Sequence, residues 1–354
     1  VALWVALVAA AAPTREASAQ EVGASADGES PKRKRVFAIR PFLQYGKGSV
    51  SLRPGSRSGA LWRPTGVRSE KGEEVPVWQP NLGPSLGLAL ELGDYLGIAG
   101  ARAIEEWQPG VGRRGRSEVR HLEAHSQWKG LGLDAWRQDY RGMYLMHVGT
   151  NDARPLGDSL FSGGAAASVR PGLRLVATGA SVLWIHDAAG FPIRSAMLHK
   201  ERPKASGWSF LAQGRVEELS FGDESGEPLL DDPDDIAAFG PDLAGLTRLR
   251  ATTASVAPGV GGVWLGASSA TVAYYAAGAA TWGLGAQDHR LSGATGARHN
   301  APATTGTLRG ALGAQFEVTY VAVNGFKGIS TLSAPGIAAT HTVSMVEVTV
   351  GARW

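Results

Sequence analysis

The sequence predicts an all-β fold, a transmembrane antiparallel β-barrel of about twelve strands (ten to fourteen) behind an N-terminal signal peptide. Three observations predict it. Apolar and polar residues alternate with period two in segment after segment, and a strand sends successive side chains to opposite faces. After the N-terminus every apolar stretch is broken by Gly, Arg, Gln or Glu, well short of the ~20 residues a membrane helix needs. The N-terminus itself reads as an export signal.

That signal is the run Val-Ala-Leu-Trp-Val-Ala-Leu-Val-Ala-Ala-Ala-Ala at residues 1–12, ended by Pro13 and followed by the small residues Ala17-Ser18-Ala19. It is too short to span a bilayer. Cleavage is expected after residue 19, so residues 1–19 form the signal peptide, 20–35 a flexible periplasmic lead-in, and 36–354 the barrel with long loops. The basic run Pro31-Lys32-Arg33-Lys34-Arg35 belongs to the lead-in.

Composition narrows the function classes. The 354 residues contain no Cys, which excludes disulfides, thiolate metal sites and an N-terminal lipidated cysteine. The net charge of +3 argues against a bulk nucleic-acid binder.

Residues 36–45 start the strands. Leu86, Leu88, Leu90 and Leu92 alternate with Gly87, Ala89 and Glu91, then Gly93-Asp94 turns the chain into Leu96-Gly97-Ile98-Ala99. Further strands are expected at 119–128, 131–138, 173–186, 191–198, 208–221, 250–264 and 271–287. The stretch 173–186 is apolar on both faces. In 308–322, Leu308, Leu312, Ala314, Phe316, Val318, Tyr320 and Ala322 share one face, and Arg309, Gly313, Gln315, Glu317 and Thr319 the other. Asn324-Gly325 is a strong two-residue hairpin signal, separating that strand from a short one at 326–333. Last, Val346, Val348, Val350, Ala352 and Trp354 alternate with Glu347, Thr349, Gly351 and Arg353. Twelve strands of ~10 residues use ~120 residues, and loops are expected at 46–79, 108–116, 141–171, 222–247 and 288–304. Tyr45, Trp78, Tyr95, Trp107, Trp128, Tyr140, Trp208 and Trp354 lie near strand ends and are expected to form headgroup-level girdles.

The closing strand on Trp354 resembles the sorting signal that the outer-membrane assembly machinery reads. Three blocks in order resemble the domain-of-unknown-function family forty-four twenty-one, a family of outer-membrane barrels. They are Trp78-Gln79-Pro80-Asn81 with Gly83 and the Leu86–Leu92 strand, His121 to Leu145 with Tyr140-Arg141-Gly142-Met143-Tyr144, and Lys204-Ala205-Ser206-Gly207-Trp208-Ser209-Phe210. The resemblance covers roughly residues 37–354. It departs from the family at Trp78, where Tyr is usual, and in the third block. It implies a barrel fold and brings no activity or site residues.

Candidate chemistry is sparse. His121-Leu122-Glu123-Ala124-His125 is not the helical zinc motif. On a strand its two His lie ~13 Å apart, beyond one zinc with N ligands at ~2 Å, so His121, Glu123 and His125 read as a polar lumen network. Gly157-Asp158-Ser159-Leu160 matches a hydrolase signature, but no Asp precedes a His by three places to complete it. The acidic stretch 222–242 lacks EF-hand spacing and reads as a solvated loop. Glu91, Glu123, Arg309, Gln315, Glu317 and Arg353 are expected to face inward. No catalytic, cofactor or metal residues are assigned.

The function this supports is an outer-membrane barrel acting as a small pore or as a carrier of a small or lipidic solute. A structural or surface-interaction barrel working through its loops is the alternative, and a lipid-modifying enzyme the second. The expected partners are outer-membrane lipids, lipopolysaccharide and the barrel assembly machinery, with both termini periplasmic.

Overall fold

The computed structural model describes residues 37–353 except 55–74, 149–165, 188–204, most of 231–243 and a few positions between strands. The expected signal peptide, lead-in and strand at 191–198, together with Tyr95, Gly157–Leu160, Glu317, Val318 and Trp354, therefore lie outside the described residues.

Among the described residues, thirteen antiparallel strands form one sheet that closes on itself: β1 (Phe37–Pro54), β2 (Val75–Pro80), β3 (Ser85–Leu92), β4 (Leu96–Ala103), β5 (Glu118–Trp128), β6 (Leu131–Val148), β7 (Ala166–Ile185), β8 (Gly207–Asp223), β9 (Leu246–Ser268), β10 (Ala273–Gly293), β11 (Arg298–Gln315), β12 (Thr319–Ala334) and β13 (Ile337–Arg353). The β1–β13 pairing closes the ring. At the end holding Phe37 and Arg353 the ring has twelve strands, all but β2. At the far end β2 alone bridges β1 and β6, replacing β3, β4 and β5, so the barrel narrows to ten strands.

The narrowing is built where two of the motif blocks meet. The chain breaks pairing at Asn81, between β2 and β3, and the Asn81 N–H donates to Ser117 Oγ at 2.7 Å. Asn81 Nδ2 donates to Gly115 O at 2.8 Å. Ser117 Oγ donates to Gly142 O, and Gln108 accepts the Ser117 N–H at 2.9 Å. Gln79 on β2 donates to the Tyr144 hydroxyl at 2.5 Å. Gly142 has φ +73°, and a Cβ there would sit 2.4 Å from Arg116 O, so only glycine fits the kink at which β6 leaves β5 and takes up β2.

Side chains are sorted in the opposite sense to a soluble protein. Leu86, Leu88, Leu90, Val256, Leu284, Leu312, Val346, Val348 and Val350 point outward and are exposed, while Arg40, Glu91, His125, Gln213, Glu217, Gln287, His341 and Thr349 are buried inside. A closed barrel leaves no edge unpaired, and an apolar outside with a polar inside is what hydrocarbon requires. This is the fold of outer-membrane β-barrels. Trp128, Trp184 and Trp208 are exposed at the terminal rim as a girdle. Trp78 and Tyr140 are not part of any girdle: both are buried inside the barrel.

Several connections are shorter than expected because strands run on. β1 and β2 occupy much of 46–79, β6 and β7 enter 141–171, and β10 and β11 fill most of 288–304. Residues 308–322 are not one strand. β11 ends at Gln315 and β12 begins at Thr319, the Phe316 N–H is bonded to Thr319 O at 2.8 Å, and Tyr320 and Ala322 are buried facing inward rather than outward. Asn324-Gly325 is no hairpin. Both residues lie within β12, paired with Ala311 and Gly310. The Asn324 side chain is held by Glu347 at 3.0 Å.

Candidate functional site in the barrel lumen

The lumen has three zones. At the ten-stranded end it is filled by an apolar cluster from β1 (Val50, Leu52), β2 (Trp78), β6 (Tyr140, Met143, Leu145), β7 (Leu173, Leu175), β8 (Leu219, Phe221) and β9 (Leu249). Trp78 and Phe221 meet edge-on at 5.6 Å between ring centroids. Leu229 and Leu230 from the β8–β9 connection complete the plug at 2% and 1% exposure. The connection is tied down at its base. Arg170 donates to Pro228 O at 2.8 Å and pairs with Glu227 at 3.5 Å. Glu224 receives Arg174 at 2.9 Å and Arg141 at 3.1 Å. The described acids of this stretch are thus paired with strand arginines, Asp223 buried and Glu224 and Glu227 still exposed to solvent.

Below the plug lies a cavity of about 150 Å³ lined by charged residues of both signs. His125 and Glu91 are 3.0 Å apart, and Arg40 approaches Glu91 at 3.9 Å. His121 sits 3.5 Å from Glu123. Arg309 reaches Asp134 at 3.6 Å. Arg215 pairs with Glu217 and stacks over Trp136 at 4.6 Å, and His341 contacts Glu217 at 3.6 Å. Opposite charges buried side by side offset much of the desolvation that each would suffer alone. At the terminal end a second apolar cluster, Ile185, Leu211, Val263, Tyr275 and Ala277, narrows the bore again.

The sheet makes room for this network at glycines. A Cβ on Gly97 would lie 2.2 Å from His125 Nε2 and 2.3 Å from Glu91 Oε2, and one on Gly179 would lie 2.3 Å from the Trp136 ring. Gly97→Ala is expected to part His125 from Glu91 and to destabilise the barrel by ~1–3 kcal/mol, since the pair is buried and each partner would be left unsatisfied. The thermal loss of the unheated gel mobility measures this. An unchanged transition would mean that the pair contributes nothing.

Of the expected inward residues, Glu91, Glu123, Arg309 and Gln315 do face the lumen; the Arg353 side chain is outside the described residues. His121, Glu123 and His125 share the lumen face, but His125 joins Glu91 rather than its sequence neighbours. Arg40, Arg215, Glu217 and His341 escaped the sequence reading. The signal was present for two of them: Gln213, Arg215 and Glu217 alternate on one face of β8, masked by Leu211, Leu219 and Phe221 on the same face.

No protein-family model matches the chain, and no curated protein sequence does. Solved structures do match it. The outer membrane protease OmpT from Escherichia coli aligns over 93% of this chain and 100% of its own at 9% identity, TM-score 0.37. The toluene transporter TodX of P. putida aligns over 90% of both at 9% identity, TM-score 0.27. Ail, the attachment invasion locus protein of Yersinia pestis, covers 63% of this chain and 96% of its own at 10%, TM-score 0.18. All three are outer-membrane proteins of differing activity, and likeness this distant transfers none of those activities.

Proposed function

We propose that the protein is a gated conduit of the outer membrane for small polar solutes, closed at rest. One observation carries this reading: the charge-lined cavity lies under an apolar plug that strand side chains line and that a loop completes through Leu229 and Leu230. A loop anchored by apolar contacts moves without breaking the sheet, because loop opening is locally less costly than strand separation. The cavity's mixed charges suit a small polar or ionic solute better than a lipidic one. Both termini are placed in the periplasm, the closing strand is read by the assembly machinery, and membership of the resembled family forms part of the same reading. No catalytic step is included.

Purified protein in planar lipid bilayers is expected to hold a closed baseline with rare, small conductance steps. A large steady current on insertion would mean that the mouth is not sealed and would overturn the closed resting state.

A further inference from the structure

Walking outward-facing positions through the strand register exposes a sharp boundary on the barrel's exterior. One row runs Ile98, Ala124, Ala135, Ala180, Val216, Ala254 and Ala286, wholly apolar. Two rows further toward the ten-stranded end, Arg102 stands opposite Arg120 and Arg120 opposite Asp139. The same row continues through Val176 and Ser220 to Arg250, which stands opposite Arg290. One row higher, Arg141 stands opposite Arg174. Arg102, Arg120 and Arg250 have side chains 67%, 63% and 53% exposed.

With Arg290 also opposite Arg298, four direct cross-strand Arg–Arg pairs lie on this end, which is unusual, because like charges ~5 Å apart across a ladder destabilise it. Acids inside the collar relieve them unequally. Asp139 and Glu224 hold Arg174, and Glu224 also holds Arg141. Arg102 has Glu105 at 3.8 Å, Arg120 has Glu118 at 3.3 Å, and Arg250 has Glu218 at 3.8 Å. Among the described residues no carboxylate pairs with Arg290. The opposite rim is different: exposed Trp128, Trp184 and Trp208 stand on it.

We propose that this arginine collar, centred on the Arg250–Arg290 and Arg102–Arg120 pairs, binds the phosphate monoesters of a phosphorylated glycolipid of the lipid A type. The chemistry selects the ligand. The collar lies two rows beyond the last wholly apolar row, past a row that already holds Arg137, Glu218 and Asp288, at headgroup level. A phosphate monoester carries about −1.5 to −2 charge and three acceptor oxygens, enough to neutralise two facing guanidiniums, whose forked donors match phosphate oxygens. A phosphodiester headgroup, with a single charge, leaves one of each pair unbalanced. The collar also sets orientation, putting the ten-stranded end in the glycolipid leaflet and the termini on the other side. This rests on the membrane placement of the barrel but not on any conduit, so its failure and the conduit's are read in separate experiments.

The test uses the full chain in detergent, titrated with diphosphoryl lipid A, dephosphorylated lipid A or phosphatidylglycerol, with bound lipid read by native mass spectrometry and stability by heat-modifiable gel mobility. Diphosphoryl lipid A is expected to bind and raise the transition temperature, and the other two are not. Arg250→Ala with Arg290→Ala is expected to weaken that binding about tenfold, as loss of a charge-assisted pair does, while in detergent alone its transition is no lower than that of the parent. Phosphatidylglycerol binding as well as lipid A, undiminished lipid A binding by the double variant, or a lower transition in detergent alone would each overturn the proposal.

Discussion

Leu229→Ser with Leu230→Ser is expected to turn an electrically quiet barrel into a conducting one. Both side chains are fully inside the apolar plug. Truncating a buried Leu costs ~2–5 kcal/mol even when Ala replaces it, and two such losses exceed what the remaining ties supply. Those ties are the Arg170, Arg141 and Arg174 contacts at the loop's base and the Leu229 N–H bond to Leu246 O at 2.7 Å. Partly exposed ion pairs are worth ~0–1 kcal/mol each, so the apolar anchor dominates. The fraction of time spent open should rise by about a hundredfold or more, since each 1.4 kcal/mol is a factor of about ten. The strand ladder is untouched, so the unheated gel mobility of a folded barrel should persist. Bilayer recordings and limited proteolysis of residues 224–230 check both halves. If the loop becomes cleavable and the barrel still passes no current, the strand side chains of the plug and the charge network seal the bore without the loop, and the conduit reading is wrong.

The parts of the fold legible in the sequence are those where one rule acts alone. Leu86–Leu92 and Val346–Val350 face lipid on one side and lumen on the other, so their alternation gives strand, register and orientation at once. Reading failed where two environments share one face. Leu173, Leu175, Leu219 and Phe221 point into the lumen, yet they are apolar because the mouth is a packed core rather than a wet channel. Local turn chemistry also misled. Asn324-Gly325 carries the strongest hairpin signal in the chain, but it is overridden by pairing on both sides: Gly325 stands opposite Gly310 and Val346, while Asn324 binds Glu347. Between the end of β11 at Gln315 and the start of β12 at Thr319 the sequence holds no Gly, Pro or Asn to announce the reversal. The lumen site was half visible for a related reason. Strand parity assigned Glu91, Glu123 and Arg309 inward, but which acid meets which His depends on strands distant in sequence, as with Glu91 on β3 and His125 on β5.

Val260→Arg tests the placement on which every functional statement depends. Val260 faces outward between Phe210 and Ala280 in the register, with apolar rows on both sides of it. If that face meets hydrocarbon, a guanidinium there costs ~2–4 kcal/mol near the bilayer midplane and ~0–1 kcal/mol close to the interface. Thr252 supplies the comparison on the same strand and the same face. It lies opposite Glu218 and Asp288, at the level where charge begins, so Thr252→Arg gains acidic neighbours and should be close to neutral. Folding into lipid vesicles, followed by the heat-dependent gel shift, is expected to give a depressed transition and yield for Val260→Arg and near-parental values for Thr252→Arg. A face bathed in water would accept both, because an isolated exposed Val→Arg change usually stays within ~0.5 kcal/mol. Equal tolerance at the two positions would therefore take the barrel out of the membrane, and the conduit, the lipid collar and the orientation with it.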